Sequence, residues 1–368
     1  MEWIARTEQL ADTLAGVGGG PLAVDLEADS FHHFREKVCL VQLSFGGRDL
    51  LVDPLAGVSL VPLRSLLQDR AVPKVMHGAD YDLRLLGRDH GLAVAGIFDT
   101  MIAARLTGER TFGLAALLEK HLGVRLDKTH QRADWSRRPL PPAMAAYAVE
   151  DTRHLAELGT RLRARLAELS RLPWAEEEFR RLEGVRWAES AEPEPWRKIK
   201  GASALAAREL AALREVAALR EEMARGRDLP LFRVLRDEVA VELARRRPRS
   251  REALPEIAGL PRPFLSGSAA TALLAAIERA EGLPSDALPE VRRGIRVRVA
   301  PEFEERVKRL RDARDRVAEA LDLEPSLLAP RGTLEAVAAR EMAGEPPASV
   351  PELRTWQAAL LLPVWSGP

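Results

Sequence analysis

Gly18-Gly19-Gly20-Pro21 followed by Leu22-Ala23-Val24-Asp25-Leu26-Glu27 is the stretch on which the fold reading turns. The glycine–proline run is turn-forming, and the apolar run after it reads as a β-strand. Side chains alternate across a strand, so Asp25 and Glu27, flanking Leu26, project from one side a few ångström apart. Two like charges so close are costly unless a cation or a proton sits between them. Taken alone, the pair reads as an ordinary acidic pair on a solvated edge strand.

Working outward, Val38 to Phe45 reads as a second strand ended by Gly46-Gly47, and Asp49 to Val52 as a third stopped by Pro54. Leu60 to Leu67 has helical spacing, with Pro62 acceptable in a first turn. A strand at Lys74 to Met76 leads to helices at Asp80 to His90, Met101 to Leu106 and Gly113 to Leu122, and to one long helix from Pro141 to Leu169. Strands in hairpin-like succession and then strand–helix alternation predict a mixed sheet covered by helices. Beyond about residue 175 the β signal fades. The charged stretch Glu176 to Arg181 and the polar Ala191 to Lys200 read as a connector. Helical units follow over Ser203 to Ala280 and Glu302 to Pro368, separated by the Pro-, Gly- and Arg-rich segment Leu283 to Pro301. The expected division is 1–175, a linker 176–202, then helical domains 203–283 and 284–368.

The 368 residues carry 55 basic against 55 acidic side chains, so nucleic-acid binding would have to rest on local charge rather than net charge. The single cysteine, Cys39, excludes an intrachain disulfide and sits in an apolar run as a small buried hydrophobe. Met1 to Leu10 lacks the apolar segment of a signal peptide, and no stretch is long enough to span a bilayer, which predicts a cytoplasmic protein without membrane partners. Ala358 to Val364 is short, contains Pro363 and reads as a packing helix. Zinc-type Cys/His clusters, a Walker A loop and a G-x-S-x-G elbow are all missing from the sequence.

Two further acidic segments join the first pair. In His77-Gly78-Ala79-Asp80-Tyr81-Asp82-Leu83, a strand-to-helix junction, Asp80 is better placed as the helix cap and Asp82 falls in the first turn. In Tyr147-Ala148-Val149-Glu150-Asp151, Tyr147 and Asp151 are four apart and share a helix face. Together these carboxylates can hold two Mg2+ or Mn2+ ions, which prefer oxygen ligands. Two such ions about 3.5–4 Å apart clamp the attacking and leaving oxygens of a phosphoryl displacement.

The order D-x-E, H-G-A-x-x-D-L, Y-x-x-x-D resembles the three motifs of the DEDD exonucleases in their tyrosine form. The surrounding wording resembles the ribonuclease D family: Val24 to Ser30, Lys37-Val38-Cys39-Leu40-Val41-Gln42, Phe98-Asp99-Thr100, Asp127-Lys128, Gln131, Asp134-Trp135 and Arg138-Pro139-Leu140. The likeness covers about residues 20 to 165. It implies an α/β ribonuclease H-like exonuclease domain, a mixed sheet flanked by helices, hydrolysing RNA from its 3′ end to nucleoside 5′-monophosphates. It further implies Asp25, Glu27, Asp82 and Asp151 as ligands of two divalent metal ions, with Tyr147 orienting the attacking water. Asp82, not Asp80, precedes leucine as the family pattern requires. Threonine is frequent in the family where Leu26 stands, and it is the backbone there that lies by the substrate end. His77, Gln131, Trp135 and Arg138 are read with Leu26 as substrate-contacting. Arg35 and Arg137 are further phosphate candidates, and for Trp135 core packing competes with base stacking.

Trp196 to Gly201, Leu213-Arg214, Asp228-Leu229-Pro230, Val234-Leu235 and Ile257 to Leu260 resemble an HRDC domain, a helical module associated with nucleic acids. The last unit resembles a second, degenerate copy, so all-α HRDC-like bundles follow the exonuclease domain. Arg245-Arg246-Arg247 with Arg249, and Arg292, Arg293, Arg296 and Arg298, are local basic clusters. The implied partner is RNA with a free 3′ end, such as a tRNA precursor or other structured RNA. The alternatives are a DNA exonuclease on the same catalytic set and a non-catalytic RNA-binding scaffold. The oligomeric state is not legible.

Overall fold

The run opened by Leu22 is a central strand of a six-stranded mixed sheet. The computed structural model describes residues 1–127, 129–188, 193–292, 300–345, 351 and 353–366. The strands are β1 (Glu2–Ile4), β2 (Leu22–Ala28), β3 (Val38–Phe45), β4 (Arg48–Val52), β5 (Lys74–Met76) and β6 (Ile97–Asp99), in the spatial order β1-β4-β3-β2-β5-β6. β2, β3 and β4 run antiparallel to one another, whereas β1 joins β4, β5 joins β2 and β6 joins β5 in parallel. β1 and β6 are additions to the four strands expected from sequence; three residues are too few for alternation to register.

Contacts divide the chain into two units, one of Met1–Ala28, Lys37–Trp187 and Arg298–Pro368, the other of Asp29–Glu36 and Ala188–Val297. In the first, α1 (Thr7–Leu14), α2 (Leu63–Gln68) and α3 (Asp80–His90) bury Leu10, Leu63, Leu67 and Leu86 with Val24, Leu26, Val41 and Leu43 of the sheet. Ala23, Val75 and Phe98 join a different cluster with α4 (Thr100–Leu106), α5 (Leu114–Leu122), α7 (Leu155–Glu168) and α8 (Leu172–Glu183). Between α5 and α7, α6 (Pro142–Arg153) packs Met144, Ala145, Ala148 and Val149 on Leu40 and Trp135. The single helix expected from Pro141 to Leu169 is therefore two. It breaks at His154 because the apolar faces of α6 and α7 serve different clusters.

The second unit holds α9 (Ala207–Arg227), α10 (Leu231–Val234), α11 (Asp237–Arg246) and α12 (Gly267–Glu281) around Leu213, Val216, Leu243, Leu273 and Ile277. α9 ends at Asp228, at φ +49°, whose carboxylate accepts Phe34 N at 3.1 Å and lies 2.7 Å from His33 Nδ1. Much of the basic character here is locally balanced: Arg246 pairs with Glu242, and Arg247 and Arg249 with Glu281. Arg293, Arg296, Arg298, Lys128 and Ala191 lie outside the described residues.

The helices after residue 300, α13 (Pro301–Ala320), α14 (Pro325–Leu328), α15 (Arg331–Met342) and α16 (Thr355–Trp365), belong to the unit that contains the sheet. Leu310, Leu328, Val337, Trp356 and Trp365 share one core with Leu158, Leu162 and Phe179. The Glu176–Arg181 stretch read as a connector is part of α8, held by buried Ala175, Phe179 and Leu182. Its acids have structural partners: Glu177 accepts the amides of Thr355 and Trp356 at the start of α16, and Glu178 accepts Trp356 Nε1 at 3.0 Å. Trp174 stacks on Trp356 with ring centroids 5.1 Å apart.

Candidate active site

β2 pairs with β3 along its length but with β5 only at Leu22↔Lys74 and Ala23↔Val75. Its second half, carrying Asp25 and Glu27, therefore runs on beyond the parallel ladder. β5 gives way to a tight turn at Gly78, at φ +67°, where a Cβ would stand 2.8 Å from Met101 Cε. That turn feeds α3 and sets Asp82 in its first turn. Asp80 does not cap the helix as expected; it is exposed and ion-pairs with Arg84 one turn on, at 2.8 Å. The buried carboxylate of Asp99 holds the turn instead, accepting Ala79 N at 2.8 Å and Ile102 N at 2.9 Å.

α6 lies over β2, β3 and β4 and supplies the remaining groups. Oxygen atoms of Asp25, Glu27 and Asp151 come within 4.8 Å of one another, each carboxylate still partly open to solvent. Asp82 stands close enough to raise the pKa of Glu27 and to be raised by Asp25. The Tyr147 hydroxyl lies close enough to Asp151 to draw its carboxyl pKa down. The tyrosine ring meets His130 edge-on at 5.8 Å and Trp135 at 6.0 Å.

Electrostatics mark this cluster off. Burial pushes Asp25 up to about 7. Burial and then the charge of Asp25 raise Asp151 to about 8, although the Tyr147 hydrogen bond works the other way. Glu27 is held well above its ordinary value by burial and by Asp25, Asp151 and Asp82. Asp82 is raised likewise, by burial, Asp25 and Asp99. Burial and the three neighbouring acids also raise the Tyr147 phenol. Convergent carboxylates without a thiolate or imidazole among them match the donor set that hard divalent cations select. A cation supplies the positive charge that these like charges otherwise lack.

The remaining candidates fall into different surroundings. Leu26 turns its side chain into the core at 8% exposure, which leaves its backbone on the edge of the site. His77 Nδ1 lies 2.9 Å from Thr100 Oγ1, which itself donates to Met76 O. The ring therefore donates through Nδ1 and keeps Nε2 as an acceptor, and burial lowers its pKa. Gln131 is exposed on the loop before α6. Trp135 is only 1% exposed, so in this structure it packs in the core and offers no open face to a base. Arg138 is committed inward: Nε and Nη2 each lie 2.7 Å from Asp53, and the guanidinium also donates to the carbonyls of Trp135, Arg137 and Cys39. Sequence reasoning missed Asp53 and the structural use of Asp99. For Asp99 a signal existed, since Asp-Thr before an apolar run is a helix-start pattern.

Residues 1–167 match the family described as 3′-5′ exonuclease, and residues 209–277 match the HRDC domain. The chain is 32% identical over 361 residues to the ribonuclease D of Gluconacetobacter diazotrophicus, covering 96% of this chain and 89% of that one. With the ribonuclease D of Escherichia coli it shares 30% over 367 residues, covering 98% and 96%. The chain belongs to the ribonuclease D family of 3′→5′ exoribonucleases. The crystal structure of Escherichia coli RNase D, described as an exoribonuclease involved in structured RNA processing, superposes with a TM-score of 0.74 at 30% identity, covering 99% of this chain and 97% of that one. A Bifidobacterium adolescentis protein gives 0.85 at 27% identity, covering 100% and 96%. The RRP6 catalytic core of Trypanosoma brucei gives 0.66 at 27%, covering 77% and 81%. The mixed sheet with flanking helices and the helical, HRDC-bearing remainder expected from sequence are thus the ribonuclease D architecture. Among the described residues, no helix is long and apolar enough to cross a membrane.

Proposed function

We propose that the protein shortens RNA from its 3′ end by hydrolysing the terminal phosphodiester, with Asp25, Glu27, Asp82 and Asp151 holding two divalent ions, Mg2+ or Mn2+. The observation that carries this reading is the convergence of three carboxylates within 4.8 Å, beside a tyrosine close enough to act on one of them. When bound, divalent ions polarise the phosphoryl oxygen, lower the pKa of water and neutralise developing charge. The chain's own residues set the geometry. Tyr147, with its pKa raised, keeps its proton at neutral pH. It therefore orients rather than deprotonates: its hydroxyl donates to Asp151 and its lone pairs accept a hydrogen bond from the attacking water. Water oxygen joins phosphorus, the bridging 3′ oxygen leaves and takes a proton, and a nucleoside 5′-monophosphate is released.

RNA is favoured as substrate by the family, while the HRDC domain supports nucleic-acid binding without separating RNA from DNA. Structured RNA such as tRNA precursors, met in the cytoplasm, is the substrate class that fits a nuclease carrying an extra nucleic-acid module. Matched 3′-labelled RNA and DNA single strands, incubated with Mg2+ or Mn2+, test this. Stepwise release of 5′-monophosphates from RNA is expected, and its loss in Asp25→Ala and Asp151→Ala. Full activity in those variants refutes the metal site, and a strong preference for DNA refutes the RNA assignment.

A further inference from the structure

Gln42 lies mid-strand in β3, where Val38, Cys39, Leu40, Val41 and Leu43 are all buried apolar residues. It is 0% exposed, yet neither its Oε1 nor its Nε2 has a hydrogen-bond partner among the described residues. A buried amide left unpaired is a cost that leucine or methionine would not incur. Core formation alone does not account for this residue type.

Its partner in register is Asp25. Residues directly opposed in an antiparallel pair face the same side of the sheet, with Cβ atoms about 4.5–5.5 Å apart. Ser44, two residues on and on that same face, lies 2.8 Å through its Oγ from Thr152 Oγ1, the residue after Asp151. The amide thus shares the space beneath α6 with Asp25.

We infer that Gln42 is a positioning residue for Asp25: its Nε2 makes no hydrogen bond in this structure, and when a cation is held it swings to donate to one oxygen of the Asp25 carboxylate, which turns the other toward the ion. The inference rests on the divalent-metal reading above. A carboxylate offers two oxygens and about four lone-pair sites, and a donor in the outer shell decides which of them faces the ion. Three side-chain torsions give the amide the reach to make this bond. No hydroxyl or ammonium is needed: a neutral donor orients the ligand without cancelling its charge.

The test uses Gln42→Met and Gln42→Leu in the full chain, which keep side-chain bulk and remove the donor. Thermal unfolding without metal is expected to stay unchanged or rise. The calorimetric Mn2+ dissociation constant is expected to rise roughly 10- to 100-fold, the usual loss when an outer-shell partner is removed. At saturating Mn2+, kcat should fall while KM for RNA holds. Wild-type Mn2+ affinity in the variants overturns the inference. A lowered Tm with unchanged affinity, or failure of both variants to fold, overturns it too, by making Gln42 a core residue only. If the wild-type protein shows no carboxylate-dependent Mn2+ binding, the parent reading fails instead.

Discussion

Tyr147 and Asp151 stand one turn apart on α6, close enough for the hydroxyl to act on the carboxylate, which sets the phenol of the site beside one of its three converging carboxylates. Replacing Tyr147 with phenylalanine keeps the ring between His130 and Trp135 and deletes only the hydroxyl. Expected is a loss in kcat of roughly 10²-fold, the lower end of what a positioned proton-handling group contributes, with Tm close to wild type. A kcat within twofold of wild type in single-turnover assays would remove Tyr147 from the chemistry.

The raised carboxylate values give a stability prediction with a definite sign. Asp25 and Asp151, ordinarily near 3.8, are pushed up to about 7 and about 8 in the folded chain. Between the ordinary and the raised values the folded form holds protons that the unfolded chain has released, so stability must fall as pH rises from about 4 to 8. A tenfold difference in proton affinity between the two states is worth about 1.4 kcal/mol for a single group. In chelator, Tm should be higher at pH 5 than at pH 8. Adding Mn2+ should recover the loss at pH 8 and do little at pH 5. Scanning calorimetry at the two pH values decides it, and a chelated protein more stable at pH 8 contradicts the assignment.

Asp80 and Asp82 separate a surface acid from a site acid within one helical turn. Asp80→Asn removes an exposed, solvent-screened pair with Arg84 and should leave both Tm and exonuclease rates near wild type. Asp82→Asn should abolish metal-dependent cleavage while raising Tm in chelator, because it relieves repulsion with Asp25 and Glu27. Equal rate losses in the two variants would mean that the first turn of α3 is being perturbed as a whole.

Arg138 gives the opposite case, a basic residue with an internal task. Its two-point pair with Asp53, which is 4% exposed, resembles a buried bridge. Arg138→Ala should cost about 3–5 kcal/mol by stranding that carboxylate, and Arg138→Lys should recover little because the forked geometry is lost. RNA affinity of the folded fraction should be unchanged. A salt-dependent loss of RNA binding at constant Tm would restore it as a phosphate contact.

Trp356, on the last helix, is buried against α8 and stacked on Trp174. Trp356→Ala should cost about 3–5 kcal/mol. Because it shares a core with Leu158 and Phe179, the loss should appear as unfolding of the catalytic unit, in parallel with activity. Two separated thermal transitions, with exonuclease activity surviving the first, would show that the late helices fold apart from it.

Much of the site was legible because its signals are local. Strand alternation placed Asp25 and Glu27 on one face, and helical spacing did the same for Tyr147 and Asp151. Asp82 was distinguished from Asp80 only through the family pattern, since both suit a first turn; the ion pair with Arg84 is the physical difference. The structural tasks of Asp99 and Asp53 escaped notice because their partners lie on other elements, Ala79 and Arg138; Gln42 entered only as part of the family wording, since nothing local marks it as facing Asp25 across the strands. The same reason hid the fate of α8 and α13 to α16. Charge in Glu177 and Glu178 suggests solvent until the groups that donate to them, the Thr355 amide and the Trp356 indole, each 178 residues on, are in view.

The unit that holds the candidate site is interrupted in sequence by the second unit and completed by the chain's last segment, with α13 to α16. During synthesis the ribosome delivers every acid of the site by residue 151, but not the helices that close the core around it. A chain cut short within the α9–α12 segment therefore carries the acids of the candidate site without helices α13 to α16. Chain order thus sets the acids of the candidate site well ahead of the helices that complete the core around them.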